Sequence, residues 1–280
     1  MKIARCSRNG NTRWAVVDVE ASLVRPIVGG FNDWAPGITS GVAGHRLALT
    51  GESWPLADVR LLAPAERGAT VYVAGANYLK HLAEFRIEPP ASPFAFLKPY
   101  AALTGPYDEI KRSPLTEKLD FEVELVAVIG ASLEGRSDVM QAVLGYTVGN
   151  DISARDLQSG PGGAIGMDFL SGKGLHHATP LGPWIVTRDE FGDDTPDLRL
   201  TLKVDGEIRQ DGRTSEMRWN VAELIAFVNS RSLLEPGDVV FTGTPAGVAQ
   251  GDGRFLQPGQ VVEAEIERIG RVRNTIAIGS

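Results

Sequence analysis

Short apolar runs separated by Gly, Pro and Asp dominate the pattern of hydrophobic and polar positions along this chain. They include VYVAG, FAFLKP, FEVELVAVIG, VLGYTVGND, LRLTLKVDGE and DVVFTGTP. Because most are too short for helices and rich in Val, Ile and Phe, they predict strands. The alternation in TRWAVVDV at 12–19 predicts an opening strand, and the Gly and Pro residues between 29 and 41 predict turns after it.

Three segments have helical spacing instead, at 78–85, 136–145 and 220–232. In the last, apolar side chains recur every three or four residues, and Asn220 is placed to cap the N-terminus. The chain shows no tandem repeat and no βαβ alternation with a glycine-rich phosphate loop, which argues against a doubly wound nucleotide-binding fold. The pattern therefore predicts a strand-dominated α+β fold with few helices.

Length and composition agree with a soluble globular protein of one or two domains. The 280 residues and 30.0 kDa allow a large core, and 43% hydrophobic with 22% charged residues is an ordinary balance. A new series of apolar runs begins beyond residue 65. We expect a small N-terminal region, 1–65, followed by a larger domain, 66–280.

The charge and the cysteine content exclude several classes of protein. A formal net charge of -7 and a pI near 5.2 argue against a nucleic-acid-binding or anionic-membrane surface, since both need clustered Lys and Arg. The single cysteine, Cys6, permits neither an internal disulfide nor a Cys-based zinc site and indicates a reducing compartment. Without a long apolar segment or a leader pattern, we expect a cytoplasmic, unprocessed protein.

Two carboxylates interrupt the run LDFEVELVAVIG at 119–130, which otherwise reads as a buried strand. Residues two apart share a face of a strand, so Glu122 and Glu124 are expected to be neighbours. Burying two like charges side by side is costly unless something compensates them. Three explanations fit the sequence: the face is wet, basic side chains cover it, or a cation lies between the carboxylates.

Asp151 adds a third carboxylate in the downstream segment GYTVGNDISARDLQ. Taken alone it is an ordinary turn residue or N-cap. Together with Glu122 and Glu124 it forms the set of oxygen ligands that Mg²⁺, Mn²⁺ or Ca²⁺ prefer, whereas zinc and copper favour His or Cys. Spacing alone leaves a metal site and a solvated or Lys/Arg-paired face equally open.

Seven motifs between about residues 71 and 262 resemble the fumarylacetoacetate hydrolase family, in the family's order. They are GANYLKHLAEF, PFAFLKP, LDFEVELVAVIG, GYTVGNDISARDLQ, GKGLHHATPLGPWIVT, VDGEIRQDG and LLEPGDVVFTGTPAGV. The resemblance implies a mixed β-sandwich roll assembled as a homodimer. It also implies a divalent ion, Mg²⁺ or Mn²⁺ with Ca²⁺ possible, held by Glu122, Glu124 and Asp151.

His81 and Glu84 lie three apart in a predicted helical turn, so their side chains can hydrogen-bond. A His oriented by a carboxylate can take a proton near neutral pH. An exposed helix with a chance His and Glu would look the same, but the pair resembles the family's catalytic dyad. The family likeness also makes Lys173 the active-site lysine, which would stabilise developing negative charge.

The resemblance places three further residues near the acid end of a substrate: Arg155, Gln158 and Thr244. The planar guanidinium of Arg155 matches a carboxylate, and the other two can hydrogen-bond it. Arg155 could instead pair with Asp156 or Glu124 as part of the scaffold.

One departure from the family pattern follows the lysine, where relatives commonly carry an Asp and a Thr. This chain has His176 and His177 there, which could contact substrate, tune the lysine or cap a loop; metal ligation is the weakest option. The glycine-rich segment 159–170 is expected to be mobile and to shape selectivity.

These features predict a small-molecule enzyme without nucleic-acid or membrane partners. The favoured activity is metal-dependent hydrolysis of a carbon–carbon bond in a 2,4-diketo acid or acylpyruvate, with water activated by the dyad. The alternatives are a lyase or isomerase on a related 2-oxo acid, such as an oxaloacetate-type decarboxylase, a dehydratase or a hydroxydienoate isomerase. A catalytically silent metal-binding relative also remains open.

Overall fold

The computed structural model describes residues 1–41, 47–136, 138–159, 166–192 and 194–279. In chain order the strands are β1 Lys2–Arg8, β2 Asn11–Asp18, β3 Leu23–Pro26, β4 Trp54–Pro55, β5 Arg60–Leu62, β6 Val71–Gly75, β7 Phe94–Lys98, β8 Leu103–Thr104, β9 Ile110–Arg112, β10 Leu119–Asp120, β11 Val123–Ile129, β12 Val143–Asn150, β13 Ser153–Ala154, β14 Thr179–Thr187, β15 Arg199–Val204, β16 Glu207–Arg213, β17 Val239–Phe241, β18 Val261–Ile266 and β19 Gly270–Ile278. The helices are α1 Phe31–Thr39, α2 Leu79–Glu84, α3 Arg155–Gln158, α4 Phe169–Lys173, α5 Val221–Asn229 and α6 Ala249–Asp252.

Most strands belong to one large mixed sheet. Its order is β4-β3-β2-β1-β14-β12-β11-β17-β6-β7, with β5 added to β1 and β8 added to β14. A second sheet has the order β16-β15-β18-β19-β9, and β10 pairs with β13 in a short ladder. The expected strand-dominated α+β fold, a mixed β-sandwich roll with few helices, is confirmed.

The central strand β11 is buried on both faces. Leu125, Ala127 and Ile129 join a core shared with β15 and β18 of the second sheet. Val126 and Val128 face the other way, into a core that includes residues of β6, β17 and α1. Double burial explains why this strand reads as a nearly continuous apolar run instead of alternating with polar residues.

The run at 119–130 was expected to be a single strand, and the structure corrects this. Leu119 and Asp120 pair with β13, whereas β11 begins at Val123 and pairs with β12. Phe121 and Glu122 lie between the two ladders, outside either strand. The chain changes pairing partner at this point, so the alternation of side chains is interrupted beside Glu122.

Two of the three predicted helices form. α2, Leu79–Glu84, lies within the predicted 78–85, and α5 follows Asn220, whose side chain accepts a hydrogen bond from Glu223 N at 3.0 Å. The helix predicted at 136–145 is wrong. A 3₁₀ turn at Val139–Ala142 leads directly into β12, since pairing with β11 outweighs the local helical spacing; residue 137 lies outside the described residues.

The N-terminal elements differ from the sequence pattern in two ways. The opening strand is β1, which the pattern missed, and the predicted strand at 12–19 is β2. Turns were expected at 29–41, yet α1 forms there. Asp33 accepts a hydrogen bond from Gly30 N at 2.7 Å, capping the helix, and Phe31 packs at a 5.1 Å ring separation on Trp14.

The N-terminal strands are continuous with the large sheet. β1 pairs antiparallel with β14, placing Lys2 opposite Val186 and Ile3 opposite Ile185. Within the described residues, no helix combines the length and apolar character needed to cross a bilayer.

Candidate active site and metal centre

Glu122, Glu124 and Asp151 meet where β11 begins and β12 ends. A ligand oxygen from each lies within 4.8 Å of the others, and all three residues are buried. The register of the β11–β12 hairpin causes this meeting, because it places Val123 opposite Asn150. The Asp151 backbone N–H then donates to the Glu122 carbonyl at 2.9 Å, which fixes the two segments side by side.

Basic side chains surround one of the two glutamates. Lys173 Nζ lies 2.6 Å from Glu122 Oε2 and 2.7 Å from Asp151 Oδ2. Arg155 donates to Glu122 and, from Nε at 2.8 Å, to Asp120. Asp120 also accepts hydrogen bonds from the backbone N–H groups that begin α6. The guanidinium is therefore held at both ends by buried carboxylates.

Glu124 has no such partner. In the described part of the chain, no Lys or Arg forms an ion pair with it, and its side chain accepts from Gly243 N at 2.7 Å. Gly243 has φ of +91°, and a Cβ there would lie 2.9 Å from the Asn77 side chain, so glycine is required. The paired glutamates do not lie on a solvent-exposed face, since Glu122 is 5% and Glu124 1% exposed.

Lys98 is a member of this cluster that the sequence reasoning missed. Its ammonium contacts Asp151, and its side chain is fully buried. The available signal was its place at the end of the apolar run FAFLK, where a lysine has no reason to be buried unless a carboxylate meets it. The cluster thus contains four carboxylates, on Asp120, Glu122, Glu124 and Asp151, and three cations, on Lys98, Arg155 and Lys173.

Burial and neighbouring charges shift the pKa values in opposite directions. Burial would raise the pKa of Glu122, but Lys173 and Arg155 outweigh it and hold that pKa well below its usual range. Burial, reinforced by Asp151 and Glu122, raises the pKa of Glu124 well above its usual range. A negative charge on Glu124 is therefore disfavoured unless a further cation lies beside the trio.

The donor set fits a hard divalent cation. Oxygen ligands about 2.0–2.6 Å from one ion lie no more than about 5 Å apart, which the trio satisfies. All three donors are carboxylates, and no His or Cys belongs to this group among the described residues, which disfavours zinc or copper. A cation here would compensate Glu124, the one carboxylate that the basic side chains do not reach.

His81 and Glu84 form the expected pair on α2. His81 Nδ1 lies 3.0 Å from Glu84 Oε2, and Glu84 Oε1 accepts from Gly247 N at 2.8 Å. The start of this helix is anchored by Asn77, whose side chain donates to Thr242 O at 2.8 Å and Trp219 O at 3.0 Å. His81 lines the same cavity as the acidic trio, so the structure brings the dyad and the trio together.

The three residues expected near the substrate's acid end also line this cavity. Arg155 Nη1 donates to Gln158 Oε1 at 3.0 Å, and the alternative pairing of Arg155 with Asp156 or Glu124 is not seen. The Thr244 hydroxyl donates to Val123 O at 3.0 Å and accepts from Gln210 at 2.8 Å. Their contact with substrate stays a prediction.

His176 and His177 lie elsewhere. Both are exposed, with ring centroids 4.1 Å apart, and neither lines the cavity. His177 has φ of +50°, and its N–H donates to Ala101 O at 2.9 Å. A loop-forming role fits this geometry better than substrate contact. Of the glycine-rich segment 159–170, residues 160–165 lie outside the described residues.

The cavity has a volume of about 270 Å³ and two different ends. Its floor carries the acidic trio with Arg155 and Lys173, and its mouth carries apolar side chains from β7, α4 and the segment that follows α2. A small organic acid fits this volume, since its charged end can face the floor.

A family model described as "Fumarylacetoacetate (FAA) hydrolase C-terminal" matches residues 70–277. The chain belongs to the fumarylacetoacetate hydrolase family. A second model, described as "Rv2993c-like, N-terminal", matches residues 1–64. The order of strands and the acidic trio are thus features of a family member.

Named relatives include isomerases. Protein Rv2993c of Mycobacterium tuberculosis is 41% identical over 81% of this chain and 82% of its own length. The human protein "Oxaloacetate tautomerase FAHD2A, mitochondrial" is 37% identical over 85% of this chain and 76% of its own length. A solved structure of 2-hydroxyhepta-2,4-diene-1,7-dioate isomerase from Mycobacterium marinum has a TM-score of 0.80 and 33% identity, covering 99% of this chain and 98% of that one.

Proposed function

We propose that this chain is a divalent-metal-dependent isomerase of 2-oxo acids. It would move a proton between the carbon next to the oxo group and either the oxo oxygen or a more distant carbon. The observation that carries this proposal is the His81–Glu84 pair, which lines the same small cavity as the acidic trio. A base and a cation-binding floor are the two parts that such a proton transfer requires.

Glu122, Glu124 and Asp151 would hold the ion, for which Mg²⁺ or Mn²⁺ fits an all-carboxylate donor set, with Ca²⁺ possible. A bound ion would supply Lewis acidity, which stabilises negative charge that develops on the oxo oxygen of the substrate. Lys173 holds Glu122 and Asp151 in place with its 2.6 and 2.7 Å contacts.

The proton-transfer role falls to His81. An ionised Glu84 carboxylate can only accept hydrogen bonds, so His81 Nδ1 carries the proton of their 3.0 Å contact. In this tautomer the lone pair of the imidazole is on Nε2, which can take a proton from the substrate carbon. Glu84 is itself fixed by Gly247 N, which keeps the ring oriented.

The named relatives favour isomerisation over carbon–carbon hydrolysis. One is called a tautomerase and another a dienoate isomerase. The isomerase alternative is therefore better supported than the hydrolase expectation.

We propose further that the chain acts as a homodimer.

The test is hydrogen exchange at the carbon next to the oxo group, followed by NMR in D₂O with Mg²⁺ or Mn²⁺. Keto and enol forms of oxaloacetate, phenylpyruvate and 2-oxobutyrate would be the substrates. We expect His81→Ala to lower the exchange rate by roughly 100-fold or more, in the range of general-base contributions. His176→Ala, an exposed histidine outside the cavity, is the matched control and should exchange like the wild type.

Binding of oxalate separates chemistry from structure. His81→Ala should still bind oxalate with Mg²⁺, because the acidic trio is untouched. Equal exchange rates in wild type and His81→Ala, or no exchange by the wild type on any of the three acids, would reject the proposal.

Hydrolysis remains the second candidate because the same oriented histidine can activate a water molecule. Acylpyruvates incubated in ¹⁸O-labelled water distinguish the two. Label appearing in a released carboxylic acid supports hydrolysis, whereas exchange of the C3 proton without cleavage supports isomerisation. A catalytically silent relative would do neither.

A further inference from the structure

The inward face of β7 changes from charged to aromatic along its length. Phe94, Phe96 and Lys98 share this face because side chains alternate along a strand. Lys98 contacts Asp151 at the cavity floor, while Phe94 and Phe96 line the cavity itself. Four residues of strand span roughly 13 Å, so the face runs from the acidic floor to the mouth.

α4 repeats the same change. Phe169 and Lys173 are four residues apart and so lie on one face of the helix. Lys173 contacts Glu122 and Asp151, and Phe169 stacks on Phe96 with ring centroids 4.4 Å apart and an interplanar angle of 20°. Phe94 approaches Phe169 at 5.5 Å. Two independent elements therefore place aromatic rings at the end of the cavity away from the carboxylates.

The aromatic end is a packed surface. Gly75 pairs with Phe94 across the β6–β7 ladder, and a Cβ at position 75 would come within 2.9 Å of the Phe94 ring. Phe85, directly after α2, packs edge-on against His81 at 5.3 Å and also lines the cavity. The Phe94 ring can occupy this position because residue 75 is a glycine and has no side chain to clash with it.

Charged groups are confined to the other end. Among the described lining residues, those with charged or basic side chains belong to the acidic cluster or the dyad: His81, Glu122, Glu124, Asp151, Arg155 and Lys173. Arg86 stands between two mouth residues but is exposed and does not line the cavity. A second carboxylate on a substrate would lose water beside phenylalanine rings without meeting a cation, which is unfavourable.

Resting on the 2-oxo acid function proposed above, we infer that the cavity selects monocarboxylic 2-oxo acids with an aryl or alkyl group at the end remote from the carboxylate. This separates the chain from relatives whose names contain oxaloacetate or a dioate, since both acids carry two carboxylates.

N-substituted oxamates test the inference by binding alone. Oxamate, N-phenyloxamate and N-oxalylglycine share the planar oxo-acid head and differ in carrying no tail, an aryl tail or a carboxylate tail. With Mg²⁺ present, calorimetry should show N-phenyloxamate binding about tenfold or more tighter than oxamate, from burial of the ring. N-oxalylglycine should bind no tighter than oxamate.

Variants at the mouth should reverse this order. Phe94→Arg, on the edge strand and 40% exposed, adds a cation beside the tail. It should weaken N-phenyloxamate and strengthen N-oxalylglycine, each by about tenfold. Leu97→Arg is the matched control, because Leu97 is 59% exposed on the same strand and does not line the cavity; its affinities should equal those of the wild type.

The outcomes separate this inference from the proposed function. Tighter binding of N-oxalylglycine than of N-phenyloxamate by the wild type overturns the inference, even if hydrogen exchange is observed. Loss of that preference in Arg86→Gln would then identify Arg86 as the cation responsible. The expected oxamate order together with no exchange on any oxo acid leaves the selectivity standing and rejects the isomerase.

Discussion

The acidic cluster and the aromatic cluster of Trp14, Phe31 and Trp34 are both buried and both join distant segments, but different forces hold them. The three rings pack at centroid distances of 5.1, 5.6 and 5.0 Å. Each ring stabilises the fold because its own apolar surface is buried away from water. In the acidic cluster a carboxylate or a cation is tolerated only because of its neighbours.

In the acidic cluster, the effect of a substitution therefore depends on the sign of the charge that it removes. In the aromatic cluster, it depends on the size of the ring that it removes. Removing a cation from the acidic cluster leaves carboxylates unpaired, whereas removing the uncompensated carboxylate relieves repulsion. Removing a ring leaves a cavity whatever its neighbours are. The functional cluster is therefore the place where binding capacity and stability are in conflict.

Loss of Arg155 should have the largest effect on stability. Arg155→Met leaves Asp120 and Glu122 buried without their shared guanidinium, so we expect a loss of about 3–5 kcal/mol in the free energy of unfolding. Urea denaturation measures it. Arg199→Met is the control, because Arg199 pairs with Asp211 at the surface and should leave the unfolding curve unchanged.

The same variant has a defined pH dependence. Lys173 and Arg155 hold the pKa of Glu122 below its ordinary value, so Glu122 stabilises the fold at neutral pH and loses this contribution as the pH falls below that value. The difference between wild type and Arg155→Met should shrink on acidification. A difference that grows as the pH falls would contradict the assigned pairing.

In the aromatic cluster, Phe31→Ala should destabilise the fold by about 3 kcal/mol, at the lower end for a buried phenylalanine. Mg²⁺ affinity measured by calorimetry should stay at the wild-type value, since α1 contributes no residue to the cavity lining. Phe94→Ala is the matched control for ring removal, because Phe94 is 40% exposed and should be destabilised less. A change in Mg²⁺ affinity in Phe31→Ala would show that the two clusters are coupled.

Glu124→Gln should separate stability from binding. The amide oxygen can still accept from Gly243 N, and repulsion from Asp151 and Glu122 is removed, so without added metal the variant should be more stable by about 1 kcal/mol. Losing a residue that only hydrogen-bonds a metal ligand lowers metal affinity by roughly 10–100-fold. Because Glu124 is itself a proposed ligand, the Mg²⁺ affinity of Glu124→Gln should fall by more than this. Unchanged affinity by calorimetry would remove Glu124 from the ligand set.

The two clusters also differ in how far the sequence predicts them. The acidic trio could be predicted because carboxylates in an apolar run are conspicuous, and the family motifs point to the same residues. α1 could not be predicted, because the Gly and Pro residues of this segment favour turns. Burial of Phe31 against Trp14 outweighs this local preference. Lys98 was missed because its burial depends on long-range pairing of β7 with β6, which local pattern does not contain.

Cys6 offers the mildest test of the same contrast, since like Glu124 it is a buried ionisable group without a compensating charge. Burial raises the pKa of its thiol from 9.0 to about 11. The thiolate is the reactive form, so two pKa units mean about 100-fold less of it at pH 8. Alkylation by iodoacetamide in the native protein should be slower than in urea by at least that factor, followed by mass spectrometry. Equal rates in both conditions would show that β1 does not shield the thiol, and that the N-terminal strands open more readily than their continuity with β14 implies.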